Sequence, residues 1–129
     1  MFQKIMATVL FVRDLEGAKA FYRDTLGLVE QESTQNTVSF QMENVYFLLL
    51  HVSAAKRMLG DQSLQEGSAR GLLAAGVKDV DAAYEALKAK GVRFLREPAD
   101  QPWGLRTACF ADPEGHLWEI NHPLQQQNR

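Results

Sequence analysis

Glu119 is the residue of this chain best placed to do chemistry, because it is a carboxylate set in an apolar segment. The sequence Leu117-Trp118-Glu119-Ile120 alternates as a β-strand does, so Trp118 and Ile120 share one face and Glu119 takes the other. If Trp118 packs beneath a helix, Glu119 faces a cleft. There it could bind a cationic ligand, transfer a proton, or make an ion pair that is only structural.

Three histidines and one arginine are the other polar candidates. His51 follows the apolar run at residues 45–50 and either points into the cleft or lies at the surface where the strand ends. His116 and His122 are an odd number of positions from Glu119, so we expect them on the opposite face. Arg106 could bind a carboxylate or phosphate through two hydrogen bonds, or pair with an acidic neighbour.

Aromatic side chains could provide contact area for a ligand. In the Pro-Trp-Gly turn at residues 102–104, proline and glycine fix a loop that exposes the indole of Trp103. This indole could contact a flat ligand or a cation. Alternatively, Trp103 only covers the end of the sheet or lies in a dimer interface. Strand phase predicts Phe11 and Phe47 on one face, as cleft lining or as ordinary core. Cys109 has no flanking base and is predicted to be an inert thiol.

The elements that must hold these residues are encoded twice. Asp14 and Asp79 are spaced as N-cap residues of two amphipathic helices, and Gly27 and Gly91 are spaced as the residues that end them. The two aspartates are 65 positions apart and the two glycines 64. The chain therefore contains two copies of one half-domain unit.

Each copy is predicted to add four strands to its helix. The strands are predicted near residues 5–12, 28–32, 37–42 and 45–52, and near residues 72–78, 93–96, 105–111 and 116–122. This pattern predicts an α+β fold of two βαβββ modules, whose mixed sheets curl their bare faces around a cleft. We expect one domain over residues 1–129, with modules at 1–52 and 71–124 and a connector at 53–70 that includes a helical turn at 54–59.

The composition excludes several classes of protein. Fourteen basic and 16 acidic residues give a formal net charge of −2, and no basic run exists to bind nucleic acid. No apolar stretch approaches the length that spans a membrane. A single cysteine fits a reducing compartment, and residues 1–5 show no secretion signal, so we expect a cytoplasmic protein.

The sequence resembles the vicinal oxygen chelate superfamily, which includes glyoxalases, bleomycin-resistance proteins, fosfomycin-resistance enzymes and extradiol dioxygenases. Four stretches carry the resemblance: Val12-x-Asp14-Leu15-x-x-Ala18-x-x-Phe21-Tyr22, Leu26-Gly27-Leu28, Val77-x-Asp79-Val80, and Asp112-Pro113-Glu114-Gly115-His116-x-x-Glu119. The resemblance implies paired modules and, commonly, a homodimer. The turn at residues 102–104, followed by Arg106, is similar to a loop of the bleomycin-resistance branch.

The resemblance also implies four places at which the enzymes of this superfamily hold a divalent metal. They fall on Ala7, about Leu49, about Leu72, and Glu119. Three of the four are apolar, whereas catalytic zinc needs three protein ligands. A site built on Glu119 and His51 would have only two, so we expect no metal and no other cofactor.

These observations favour a homodimeric protein that binds or sequesters an apolar or aromatic small molecule, with neither nucleic acid nor membrane as a partner. The residues expected at the ligand are Phe11, Phe47 and Trp103 for contact area and His51, Arg106 and Glu119 for orientation. One alternative is a metal-dependent glyoxalase-type lyase, dioxygenase or transferase with an atypical ligand set. The other is metal-independent acid–base catalysis by Glu119.

Overall fold

Two copies of one βαβββ arrangement make up the chain, as the repeat predicts. The computed structural model describes residue 3, residues 5–59 and residues 72–125. The chain divides into two compact units, Met1–Ser68 and Ala69–Arg129, and each is built on its own four-stranded mixed sheet. The predicted α+β fold is confirmed.

The first unit places one helix on one face of its sheet and a second helix after its last strand. Its elements are β1 (Ala7–Val12), α1 (Leu15–Ala20) with a π-helical turn (Phe21–Thr25), β2 (Glu30–Ser33), β3 (Thr37–Phe40), β4 (Tyr46–His51) and α2 (Val52–Leu59). The sheet order is β1-β4-β3-β2, with β1 parallel to β4 and the other pairs antiparallel. The helical turn predicted at residues 54–59 lies within α2, and the rest of the connector, residues 60–70, lies outside the described residues.

The second unit repeats this arrangement. Its elements are β5 (Leu72–Gly76), α3 (Val80–Ala89), β6 (Arg93–Asp100), β7 (Leu105–Ala111) and β8 (Leu117–Pro123). The sheet order is β5-β8-β7-β6, with β5 parallel to β8 and the other pairs antiparallel. In the described part of the chain, no helix is both long enough and apolar enough to cross a membrane.

Both predicted N-caps are present. The Asp14 carboxylate accepts a hydrogen bond of 2.9 Å from the backbone N–H of Gly17, and the Asp79 carboxylate accepts one of 3.2 Å from Ala82. Each bond satisfies an N–H group that has no partner within its helix. The start of each helix is therefore fixed by a local signal.

The π-helical turn accounts for the one-residue difference between the repeats. Both helices end before a glycine with positive φ, Gly27 at +79° and Gly91 at +90°. In the first unit the backbone N–H of Leu26 donates to the carbonyl of Phe21, five residues earlier, at 2.9 Å. This wider turn takes up one additional residue, whereas the second helix is a regular α-helix.

An aromatic cluster forms the core between helix and sheet in each unit. In the first, the Tyr22 ring lies 5.2 Å from the Phe47 ring and 6.1 Å from the Phe40 ring. The second unit has a corresponding series of ring contacts, which runs from Tyr84 through Phe94 and Phe110 to Trp118. Such pairs add about 0.5–1.5 kcal/mol to the free energy gained by burial.

Strand register corrects one prediction about the first unit. Phe47 pairs with Thr8, and Leu48 pairs with Val9, so Phe47 lies on the helix-covered face and not on the face of Phe11. The reason is the length of the hairpin between β3 and β4. Six residues separate Phe40 from Phe47, whereas seven separate their counterparts Phe110 and Trp118, so the place equivalent to Glu119 is Leu48 rather than Leu49.

Candidate functional site

A row of four side chains crosses the helix-free face of the second sheet. Glu119 of β8 pairs with Ala74 of β5 on one side and with Cys109 of β7 on the other, and Cys109 pairs in turn with Arg96 of β6. Paired residues of adjacent strands project from the same face. We call these four residues the Glu119 row.

Glu119 is held by one neighbour and faces apolar side chains. The Asn121 amide donates a hydrogen bond of 2.8 Å to Oε2 of Glu119. Within the part of the chain that the structure describes, the other carboxylate oxygen has no hydrogen-bond partner. Leu72, which is 51% exposed, and Leu117 form the adjacent row on the same face. The site therefore presents one available carboxylate oxygen beside apolar surface.

The Cys109 thiol lies directly opposite Glu119. Burial raises the pKa of this thiol, the negative charge of Glu119 raises it further, and the positive charge of Arg96 lowers it. The net effect is upward, so Cys109 is a protonated, weakly nucleophilic thiol at neutral pH.

Arg106 lies on the opposite face of the same sheet. It pairs across strands with His122, and its guanidinium donates to the Asp81 carboxylate at 2.8 and 2.9 Å and to Asp100 at 2.8 Å. Hydrogen bonds from Arg106 hold the pKa of Asp81 below its ordinary value of 3.8. Arg106 therefore ties α3 to the sheet and does not meet Glu119.

Both histidines of the second unit also bind the backbone or a neighbouring side chain. The backbone N–H of Val80 donates to Nδ1 of His122 at 2.8 Å, so His122 helps to anchor the start of α3. The ring of His116 contacts the Asp112 carboxylate, Nδ1 to Oδ2, at 2.7 Å within the turn before β8. His122 lies on the face opposite Glu119, as strand alternation predicts.

His51 lies at the end of β4 with both ring nitrogens engaged. Its Nδ1 accepts from the backbone N–H of Ser53 at 3.1 Å, which assigns the proton to Nε2, and Nε2 donates to the carbonyl of Arg13 at 3.0 Å. A metal ion binds a ring nitrogen through its lone pair, and the only lone pair of this tautomer is already used. His51 thus joins the end of β4 to the segment after β1.

The three aromatic candidates occupy different environments. Phe47 is 1% exposed and packs against Tyr22 and Phe40. Phe11 is half-buried on the face of the first sheet opposite Phe47. Trp103 is 66% exposed in the turn between β6 and β7. Phe11 and Phe47 therefore lie on opposite faces of the first sheet, and Trp103 belongs to the second unit.

Comparison with known proteins identifies the family. The profile described as "Glyoxalase/Bleomycin resistance protein/Dioxygenase superfamily" matches residues 4–120. The chain belongs to this superfamily. The resemblance to the superfamily that the four sequence stretches indicated is confirmed.

Proteins similar to this chain are named for different functions. A lactoylglutathione lyase of Haemophilus influenzae is 32% identical over 127 residues, which cover 91% of this chain and 90% of that protein. The structure of a glyoxalase/bleomycin resistance protein/dioxygenase from Nocardioides matches with a TM-score of 0.84 at 28% identity, and the match covers 99% of this chain and 88% of that protein. The structure of TnmS3, an antibiotic binding protein from Streptomyces sp. CB03234, matches with a TM-score of 0.75 at 26% identity, and the match covers 95% of this chain and 97% of that protein.

The donor set of this superfamily member does not fit a divalent metal. The four places implied by the resemblance, with Leu48 replacing Leu49 by register, hold Ala7, Leu48, Leu72 and Glu119. Among the described residues, no group of three or more histidine, cysteine, aspartate or glutamate side chains is arranged to bind a metal. One carboxylate is fewer than the three protein ligands that an open zinc site needs.

Sequence reasoning overlooked Arg96 as a site residue and treated Cys109 only as an inert thiol. Cys109 could have been placed opposite Glu119 by counting back through the hairpin that turns at residues 112–115. Arg96 could not, because register shifts on both sides of it change the count between β6 and β7.

Proposed function

We propose that this protein binds and sequesters an aromatic or otherwise apolar small molecule that carries a cationic group. The observation that carries the proposal is the available carboxylate oxygen of Glu119 beside apolar residues on a helix-free sheet face. The similarity to TnmS3, which is described as an antibiotic binding protein, supports the proposal by analogy. The branch implied is the bleomycin-resistance-like one, in which no metal is needed.

Apolar contact and one charged hydrogen bond would share the binding energy. Covering about 200 Å² of apolar surface contributes about 5 kcal/mol before the entropy lost on association. A cationic N–H donor reaching Glu119 would add a charge-assisted hydrogen bond, which is stronger than a neutral one. Affinity would then depend on the apolar body, and selectivity on the carboxylate.

The predicted site residues divide between these roles and roles in the fold. We propose that Glu119 orients the ligand and that Trp103 of the same unit adds contact area, because both are at least partly exposed; a contact with Phe11 of the first unit stays a prediction. We assign Phe47, His51 and Arg106 to the fold, since their contacts are with the aromatic core, a backbone carbonyl and two carboxylates. We also place the protein in the cytoplasm, where an unpaired cysteine is stable.

The proposal is tested with two probes of the same shape. Biphenyl-4-methylamine is cationic and biphenyl-4-methanol is neutral, and calorimetry at low salt gives both dissociation constants. We expect the amine to bind about tenfold more tightly, and Glu119→Gln to remove this difference, because charge-assisted hydrogen bonds are worth about 1.5–3 kcal/mol. Glu97→Gln is the matched control, since Glu97 acts electrostatically on Lys88 of α3. Equal affinities for both probes would contradict the proposal.

A second candidate function is a metal-dependent lyase. It is favoured by the 32% identity to a lactoylglutathione lyase and by the carboxylate at one of the four metal places. The test is metal analysis of the purified protein, with thermal shifts on adding divalent nickel, manganese, iron or zinc. Stoichiometric metal, or a saturable shift that Glu119→Ala abolishes, would favour the lyase; the binding proposal expects neither.

We further propose a homodimer that forms through the regular edge strand of each sheet. Within its own sheet, β1 is an edge strand, and so is β5. Both run in unbroken register with their neighbours, whereas the opposite edge strands, β2 and β6, contain register shifts. Bulges protect sheet edges from pairing, so the regular edges are the ones suited to a second copy.

A further inference from the structure

We propose that the ligand is amphoteric and carries an acidic group for Arg96 in addition to the cationic group for Glu119. The inference rests on the proposed function and deepens it by naming the ligand class. The Glu119 row provides the geometry, because it places a carboxylate and a guanidinium on one face of one sheet.

The spacing of the two charges follows from strand register. Glu119 lies opposite Cys109, and Cys109 lies opposite Arg96, so the two charged residues are two strands apart. Adjacent strands are about 4.8 Å apart, which places the two Cα atoms roughly 10 Å from each other. Two rings of an aromatic ligand fit between charges at this separation.

Arg96 is available in a way that Arg106 and Arg23 are not. Each of those two arginines pairs with two carboxylates. In residues 5–59 and 72–125, no ion pair or side-chain hydrogen bond engages the exposed Arg96 guanidinium. Its charge nevertheless reaches the row, because it acts on the Cys109 thiol. An exposed arginine without a carboxylate partner can bind an acidic group of a ligand by donating two parallel hydrogen bonds to it.

The strand is irregular on both sides of Arg96. One register shift lies between Phe94 and Arg96 and another between Arg96 and Ala99. Bulges of this kind redirect side chains and occur often beside functional sites. Here they bring Arg96 opposite Cys109, where an unbroken register would place Leu95.

The middle of the row suits the uncharged body of such a ligand. Cys109 is protonated because burial raises the pKa of its thiol, and the Ala74 side chain beyond Glu119 is only a methyl group. Neither the neutral thiol nor the methyl group would compete with the ligand for Glu119 or Arg96, and neither is large enough to keep a ligand off this sheet face. One small, neutral side chain, Cys109, therefore separates the two charged residues of the row.

The experiment uses one rigid frame in three charge states. 4′-(Aminomethyl)biphenyl-4-carboxylic acid carries both charges at about the required separation, its methyl ester carries only the cation, and its N-acetyl derivative carries only the anion. Calorimetry at low salt with wild type and Arg96→Gln gives the dissociation constants. We expect Arg96→Gln to weaken the amphoteric and N-acetyl probes roughly fivefold to tenfold and to leave the ester unchanged.

Two further variants separate this inference from the proposed function. Glu119→Gln, in which the glutamine oxygen can still accept from Asn121, should weaken the amphoteric probe and the ester but not the N-acetyl probe. Arg93→Gln removes the same charge one row away, opposite Ala111, and should change nothing. If Arg96→Gln changes no probe while Glu119→Gln weakens the ester, the amphoteric assignment is wrong and cation binding stands. If Glu119→Gln changes no probe, the proposed function itself fails.

Discussion

At the scale of single residues, Cys109 reports on the charges on either side of it. The carboxylate of Glu119 raises the pKa of its thiol and the guanidinium of Arg96 lowers it. Because the thiolate is the reactive form, we expect Glu119→Gln to speed alkylation by iodoacetamide at pH 8 and Arg96→Gln to slow it. Rates are measured by mass spectrometry on the folded protein, with Glu97→Gln as the control.

Opposite changes in these two rates would place both charges beside the thiol. Equal changes, or none, would contradict the assigned row, because two charges of opposite sign cannot act alike on one ionisation. The same assay shows whether a probe covers the face, since a bound ligand should protect Cys109 from alkylation.

Phe47 and Trp103 are both aromatic, but their burial predicts different consequences of mutation. Phe47→Ala should lower the free energy of unfolding by about 3–5 kcal/mol, and Phe47→Leu by about 1–2 kcal/mol, because Phe47 is 1% exposed among other rings. Trp103→Ala should change it by less than about 0.5 kcal/mol, because Trp103 is 66% exposed. Urea unfolding at pH 7 measures all three, and equal losses at the two positions would show that Trp103 is part of the core.

At the scale of elements, the π-helical turn can be tested by deleting a residue. Removing the exposed Asp24 from the turn Phe21–Thr25 gives the first helix the length of the second, so we expect a loss of no more than about 1 kcal/mol. Removing the exposed Glu85 from α3 is the control. That deletion rotates the following helix by about 100°, which should cost about 3 kcal/mol or more. Similar losses for both would show that the turn has a structural role of its own.

The elements show why some features could be read from the sequence and others could not. Helix bounds were predictable because Asp14, Gly27 and their counterparts act locally. The phase of β4 was not, because a hairpin one residue shorter than its repeat moves every following side chain to the other face. The face on which Glu119 lies was predictable because Trp118 beside it is large and apolar. The position of Arg96 depends on two bulges, and only the one that contains Pro98 is signalled by a residue type.

At the scale of the whole molecule, fold and function separate. The same architecture matches a lactoylglutathione lyase and an antibiotic binding protein, so membership of the superfamily does not select between catalysis and binding. Whether a member can catalyse a metal-dependent reaction depends on which residues stand at the metal-ligand places. Ala7, Leu48 and Leu72 stand at three of the four places where the resemblance implies metal ligands. The fourth place holds Glu119, one oxygen of which accepts a hydrogen bond from Asn121.

Dimerisation through the regular edge strands is the prediction that concerns the whole molecule. Leu72 begins the regular edge strand β5 and is 51% exposed, whereas Leu95 is 46% exposed beside the bulges of β6. A lysine at a sheet edge opposes pairing, so Leu72→Lys should turn the dimer into a monomer, while Leu95→Lys should leave it intact. Sedimentation equilibrium over a range of concentrations measures both variants against wild type. A monomeric wild type would exclude the dimer, and dissociation by Leu95→Lys alone would place the interface at the bulged edge, where the irregular ladder should not pair.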